Sequence, residues 1–184
     1  ELDIEGNVVR EWDATPDDFG RIAAQTAKQQ LKQIIGDIQR RKMYEEFANR
    51  EGDIVSGIVQ QTDNRYTLLD LGRVEALLPQ AEQISFERLD HGSRVKVYIV
   101  EVRKTNKGPQ IVVSRTHPAL VAKLFEIEVP EIANGVVEIK AIAREPGHRA
   151  KIAVASNDQM VDPVGACVGA RGSRVRNITN ELRS

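Results

Sequence analysis

The stretch of this 184-residue chain with the clearest chemistry lies near its end. Residues 168–175 read Val-Gly-Ala-Arg-Gly-Ser-Arg-Val, with two glycines three positions apart and an apolar residue on either side. Gly169 and Gly172 adopt positive φ at little cost and carry no β-carbon, so another backbone can approach this loop closely. Residues 173–183 have helical spacing, and the free N–H groups and dipole of a helix N-terminus attract anions. The sequence therefore predicts a phosphate-binding loop flanked by two arginines.

This loop resembles the GxxG loop of KH domains, which clamps the backbone of single-stranded nucleic acid. The resemblance implies that loop amides hold two or three RNA phosphates, and that small apolar residues before the loop floor a groove for bases. The RNA-binding residues predicted here are Val164, Gly165, Ala166, Val168, Gly169, Ala170, Arg171, Gly172 and Arg174. An ordinary helix entry with two turn glycines is the alternative, because short glycine motifs recur by chance.

The composition limits where such a site can lie. The chain is 41% hydrophobic and 29% charged, so it can bury a core and remain soluble. Residues 1–51 carry 8 Lys and Arg against 11 Asp and Glu, and residues 52–184 carry 18 against 16. With a net charge of -1, any nucleic-acid surface must be a local patch and not a global field.

The cellular setting follows from the cysteine content and the apolar runs. The single cysteine, Cys167, excludes an intramolecular disulfide and a cysteine-rich zinc site. No apolar run approaches the ~20 residues that cross a bilayer, and no signal peptide is visible. A chain that starts at Glu1 without a Met looks trimmed at that end. We expect a reducing, cytoplasmic setting without membrane contact.

Residues capable of catalysis do not form a recognisable group. His91, His117 and His148 lie in turns or before a proline, with no Ser, Cys or metal-ligand spacing beside them. Cys167 precedes a helix entry, where a thiolate is favoured, but its apolar neighbours favour packing. The carboxylates form no pair on one rigid face. The sequence therefore predicts a binding protein and not an enzyme, with no catalytic residue, cofactor or metal.

The elements that position the loop begin with a long helix. Residues 4–9 favour a hairpin or the end of a sheet, and Thr15-Pro16 followed by two Asp suits a helix start. Apolar residues then recur at three- and four-residue steps from Phe19 to Ile38. From its start at Thr15-Pro16 to about residue 49, this is a helix of ~34 residues or roughly 50 Å. One apolar stripe cannot form a domain, so we expect it to pack against another segment or a partner.

From Glu51 the hydrophobic pattern changes to period two, and turn residues separate five short stretches. Five short strands in about 65 residues are typical of a closed OB-fold barrel. The predicted strands are residues 53–60, 65–71, 74–78, 94–102 and 110–114.

This barrel resembles an S1 domain in two parts, residues 57–79 and residues 92–115. S1 domains bind RNA by stacking bases on aromatic side chains over a basic face. The resemblance implies a second RNA-binding surface formed by Arg65, Tyr66, Arg94, Lys96, Arg103 and Lys104. The alternative for Phe86 and Tyr98 is the barrel core, which would leave Tyr66 as the one exposed ring and the barrel as a weak binder.

Helical spacing returns after His117-Pro118, and Pro130 ends or kinks this helix. The order that follows is strand, strand, short helical approach, glycine loop and final helix, with strands at residues 136–144 and 149–155. This order matches the KH type in which a helix precedes the sheet, although that type needs one more strand.

The whole chain resembles the NusA family of bacterial transcription factors. Five stretches carry the resemblance: residues 18–29, 46–52, 114–118, 128–135 and 162–169. The predicted fold class is multidomain α+β. The predicted domains are the end of an N-terminal RNA-polymerase-binding domain with a long linker helix (1–50), an S1 (OB-fold) domain (51–116) and an incomplete first KH domain (117–184).

The resemblance implies a monomeric transcription factor that binds RNA polymerase and nascent single-stranded RNA. Such a factor modulates pausing, termination and antitermination, alongside other antitermination factors. The alternative from another class is an S1–KH subunit of an RNA-degrading complex, similar to the cap of the exosome. A protein-docking scaffold with an inactive loop is a third alternative, and the long helix and the five stretches favour the first.

Overall fold

The computed structural model describes residues 20–105 and 108–182. The chain divides into two compact units, residues 1–39 and residues 40–184. The predictions for the first 19 residues, for the turn at Asn106-Lys107 and for Arg183 lie outside the described residues. None of the described helices is long and apolar enough to cross a membrane.

Helix α1 spans Arg21–Ala48, about 42 Å at 1.5 Å per residue. Its predicted apolar stripe is exposed over the part that belongs to the first unit, where the apolar side chains are 41–82% exposed: Ile22, Leu31, Ile34, Ile35 and Ile38. The last turns instead pack on the barrel core through Met43, Tyr44 and Phe47. The packing of the exposed stripe therefore stays a prediction.

Five strands follow α1 and form a closed barrel in the order β1-β2-β3-β5-β4. Their bounds are Ile54–Thr62 (β1), Tyr66–Asp70 (β2), Glu75–Pro79 (β3), Arg94–Thr105 (β4) and Gly108–Ser114 (β5). The pairs are antiparallel except β3 with β5, and β1 closes the barrel against β4. The prediction of a five-stranded barrel is confirmed, with strand ends that differ by up to three residues.

The barrel interior is filled by one inward-facing set of aliphatic side chains. Leu69, Ala76, Leu78, Val97, Ile99, Ile111 and Val113 are all completely buried. A register shift between Ile99 and Glu101 changes the alternation of β4, so Val100 is 41% exposed whereas Val102 is buried. Such a bulge places one extra residue on one strand, which the period-two pattern of the sequence did not predict.

The α/β module contains α2 (Pro118–Glu128), the short α3 (Pro130–Ala133), β6 (Val137–Glu145), β7 (Arg149–Ser156), α4 (Pro163–Val168) and α5 (Ser173–Leu182). Pro130 both ends α2 and begins α3, where its missing N–H costs nothing. β6 and β7 form an antiparallel two-stranded sheet. The helix-first KH order is confirmed, and the further strand of that type has no counterpart among the residues described.

The module has its own core beneath the sheet. It joins α2, β6, α4 and α5 through Leu120, Val121, Leu124, Phe125, Val129, Val137, Cys167, Ile178 and Leu182. The predicted stripe of α5 is confirmed, because Ile178 and Leu182 are buried and Val175 packs against them. Two side chains of the barrel, Ile54 and Tyr98, also pack on this core. The barrel and the α/β module are therefore in direct contact.

Candidate nucleic-acid interface

The glycine loop lies between the end of α4 and the start of α5, as predicted. Gly169 and Gly172 have φ values of +73° and +74°. Arg171 between them also has a positive φ, +53°, the only such non-glycine residue in the described ranges. Three left-handed residues in four reverse the chain within one tight turn, and that turn exposes Ala170 and Arg171 to solvent.

The amides of this loop fall into two pairs. The N–H of Gly169 donates to the carbonyl of Gly165 at 2.9 Å, and that of Gly172 donates to Gly169 at 3.1 Å. Across the described ranges, no hydrogen bond occupies the N–H of Ala170 or Arg171. The prediction that all four residues offer amides to RNA is therefore corrected: the glycine N–H groups close the turns of the fold, and the central two remain for an anion.

Arg174 has a different environment from the one predicted for a cation beside RNA. Its Nη1 donates to the carboxylate of Glu131 at 2.8 Å and to the carbonyl of Ala166 at 2.6 Å. A β-carbon at Gly169 would lie 2.7 Å from Arg174 Cγ, so the arginine stem covers the first glycine. Arg174 therefore fixes the loop against α3 and α4, and its direct contact with RNA stays a prediction.

The apolar floor predicted before the loop is partly open. Val164 is 60% exposed and Val168 is 38% exposed, whereas Ala166 packs against the module core. Gly165 sits against Asp162, whose carboxylate caps α4 by accepting the N–H of Val164 at 3.0 Å. Two of the four predicted floor residues thus present apolar surface, and the other two shape α4.

Cys167 is a packing residue. Its side chain is buried in the module core, and burial together with the nearby Glu131 charge raises the pKa of the thiol. A raised pKa disfavours the thiolate that a nucleophile or a metal ligand requires. His117 is similarly committed, since its Nδ1 accepts the N–H of Ala119 and its ring stacks on Tyr98. Within the described ranges no three His, Cys, Asp or Glu residues are placed to hold a metal ion.

The six residues predicted on the barrel do not form one face. Arg94 and Lys96 begin β4, whereas Arg103 and Lys104 lie near its other end, at least seven residues or about 23 Å away along the strand. Arg103 is also paired with Glu101 at 2.8 Å. At the start of β2, Arg65 is exposed and Tyr66 is half-buried. RNA binding by these residues stays a prediction, and they would contact RNA as separate groups and not as one surface.

The alternative that put Phe86 and Tyr98 in the barrel core is wrong. Tyr98 lies between the buried Val97 and Ile99 on β4, so strand alternation points it outward, where it packs on the α/β core. Phe86 lies in the loop before β4 and is 81% exposed. Among the described residues of the barrel region, Phe86 is therefore the most exposed aromatic ring, whereas Tyr66 and Tyr98 are half-buried.

A buried arginine that the sequence did not single out joins the two modules. Arg115, completely buried, follows β5 and places its guanidinium against the carboxylate of Glu87, whose side chain is 3% exposed. The same guanidinium donates to the carbonyl of Lys96 at 2.6 Å, to the carbonyl of Glu181 at 2.8 Å and to Glu181 Oε1 at 3.2 Å. Because Glu181 belongs to α5, this cation links the barrel to the helix that carries the loop.

Arg144 of β6 also lies at this junction, where its guanidinium is partly desolvated. It donates to the carbonyl of His117 at 3.0 Å. Desolvation lowers the pKa of Arg144 to about 10, and repulsion from Arg115 acts in the same direction, partly offset by Glu87. The sequence does contain a pattern that could have identified Arg115 as buried. Ile111 and Val113 are buried, and Arg115 continues the same alternation.

A pair of glycine substitutions tests whether Arg174 shapes the loop. Gly169→Ala would place a methyl 2.7 Å from Arg174 Cγ at a φ of +73°, whereas Gly172→Ala has a φ of +74° and open space around it. Both variants carry backbone strain, about 1–2 kcal/mol for a left-handed residue, and the strain at Gly169 is larger because its ψ of 176° lies in a region that only glycine adopts readily. We expect Gly169→Ala to lower the free energy of unfolding further, by displacing Arg174 from Glu131. Urea unfolding of both variants measures the difference, and equal losses would exclude a shaping role.

Comparison with known proteins agrees with this arrangement. The S1 RNA binding domain family matches residues 49–114, and the NusA-like first KH domain family matches residues 115–184. The transcription termination/antitermination protein NusA of Halalkalibacterium halodurans is 57% identical over 95% of this chain and 46% of its own length. NusA of Bacillus subtilis is 56% identical over 97% of this chain and 48% of its own length. NusA of Mycobacterium bovis is 48% identical over 99% of this chain and 55% of its own length. The chain thus spans about half the length of these relatives.

Proposed function

This chain belongs to the NusA family, and from that premise we propose that it binds nascent single-stranded RNA and RNA polymerase, thereby modulating transcriptional pausing, termination and antitermination. It acts as a binding protein and not an enzyme, in the cytoplasm and as a monomer. The relatives carry the name transcription termination/antitermination protein. Polymerase docking would involve the N-terminal segment, and other antitermination factors would join the complex.

The single observation that carries RNA binding is the pair of unoccupied amides at Ala170 and Arg171. They lie at the N-terminus of α5, so two N–H donors, the helix dipole and the exposed Arg171 side chain meet in one turn. Two adjacent amides suit one phosphate group. The exposed Val164 and Val168 on α4 would contact the bases next to that phosphate.

The RNA-degradation alternative is less well supported. The similarity to NusA proteins extends over 95–99% of the chain in the relatives cited above, including the segment that precedes the barrel. An S1–KH likeness alone would match only the residues after 48. Co-purification of the full-length protein with an exonuclease ring, and not with RNA polymerase, would reverse this choice.

The salt dependence of RNA affinity tests the proposed contact. We expect the logarithm of the affinity for single-stranded RNA to fall linearly with the logarithm of salt concentration, at roughly 0.7 per phosphate contacted. Fluorescence anisotropy at several salt concentrations measures this slope. Duplex RNA of the same sequence is the control, since a KH loop grips a single strand. A slope near zero, or equal affinity for duplex, would contradict the proposal.

A further inference from the structure

The exposed ring of Phe86 lies between two buried side chains of the same loop. On one side Ile84 is 3% exposed, and on the other the side chain of Glu87 is 3% exposed and bonded to Arg115 through Nε at 2.7 Å. These buried neighbours anchor the backbone before and after Phe86, while the ring itself is 81% exposed.

The turn between β6 and β7 brings a second ring to the same place. The rings of Phe86 and His148 have centroids 6.0 Å apart and planes at 80°. A β-carbon at Gly147 would lie 2.7 Å from Ile84 Cγ2, so this turn packs tightly on the barrel loop. The two modules thus meet at one corner, where the rings of Phe86 and His148 are in a T-shaped contact and Phe86 stays 81% exposed.

The surroundings of this corner favour a nucleotide over an apolar ligand. Arg88, two residues along from Phe86, is exposed, and no carboxylate in the described part of the chain pairs with it. An exposed aromatic ring with an unpaired arginine two residues along the chain suits a base with its flanking phosphate. Stacking is tolerant of base identity, because every base has a π-face.

We propose that Phe86 and His148 form a stacking site for one unpaired nucleobase at the junction of the barrel and the α/β module. The proposal rests on the RNA-binding function proposed above and adds a second contact to it. Arg115 joins Glu87, next to Phe86, to Glu181 near the C-terminal end of α5. The glycine loop is at the other end of α5, about 15 Å away along the helix axis. A strand gripped at the loop can therefore continue to Phe86.

Substitutions of Phe86 test the site with the chain as it stands. We expect Phe86→Ala to weaken binding of a fluorescein-labelled 12-nucleotide single-stranded RNA about tenfold, the loss typical of one base–aromatic stack. Phe86→Leu should weaken it similarly, because it keeps the apolar area and removes the π-face, whereas Phe86→Trp should retain affinity. Ile127→Ala is the control, since Ile127 is 55% exposed on α2. Because Phe86 is exposed, we expect these variants to fold as the parent does, and thermal unfolding checks this.

The outcomes separate this site from the loop. A dinucleotide, whose single step is much shorter than the about 15 Å between the two contacts, should bind Phe86→Ala and the parent equally. If the 12-nucleotide RNA binds Phe86→Ala as tightly as the parent, while the loop variant with Asp at positions 170 and 171 loses binding, the stacking site is overturned. If the loop variant also binds like the parent, the proposed RNA-binding function fails as well. An effect of Phe86→Ala on polymerase binding alone would make Phe86 a protein contact and overturn the site.

Discussion

Replacing Ala170 and Arg171 together by Asp is expected to abolish binding of single-stranded RNA without unfolding the protein. Both side chains are exposed, and Asp tolerates the positive φ of +53° at position 171. The two carboxylates would repel the phosphate that we propose the free amides hold. Since a hydrogen bond to a charged group contributes about 1.5–3 kcal/mol, we expect the affinity to fall about 100-fold or more. Anisotropy titration measures the affinity, and circular dichroism checks the fold.

The hairpin offers a matched control for this charge change. Lys151 and Ala153 are exposed on β7, so replacing both with Asp also removes one basic charge and adds two acidic ones. That control should bind RNA within a few-fold of the parent. If the loop variant folds and binds as the parent does, the loop is not the site. If the control loses as much affinity as the loop variant, the effect belongs to net charge and the amide contact is disproved.

Arg115→Ala is expected to cause the largest loss of stability. The variant leaves the carboxylate of Glu87 buried without its cation and removes the bonds to the carbonyls of Lys96 and Glu181. Breaking a buried ion pair by removing one partner costs about 3–5 kcal/mol. Urea unfolding followed by circular dichroism measures the loss, which should appear as a lower midpoint or as separate transitions for the two modules.

Two companion variants show whether the loss has this cause. Glu181→Gln should cost less, because its side chain is 26% exposed and Arg115 keeps Glu87. Arg115→Met combined with Glu87→Met should recover much of the stability, since replacing both members of a buried pair by apolar residues is often neutral. If Arg115→Ala unfolds within about 1 kcal/mol of the parent, or if the double variant is no better than the single one, the buried pair is not what joins the modules.

Periodicity and turn residues predicted the elements of this protein well, because both are local. The period-two stretches after Glu51 became the five strands, and the spacing of Val175, Ile178 and Leu182 became the buried face of α5. The glycines of the loop were identifiable because a positive φ at low cost is a property of the residue itself. The β4 bulge was not identifiable, because the pairing of β4 with β5 decides where one strand holds an extra residue.

The sequence by itself determined the barrel, the order of the α/β module and the loop at the start of α5. Only the tertiary structure decided which groups of the loop are free, since carbonyls within the turn use the amides of Gly169 and Gly172. It also paired Arg174 with Glu131, and it buried Arg115 between Glu87 and Glu181. For Arg174 and Arg115 the reason is that their hydrogen bonds and ion pairs join residues 28–66 positions apart, whose distances no local pattern encodes.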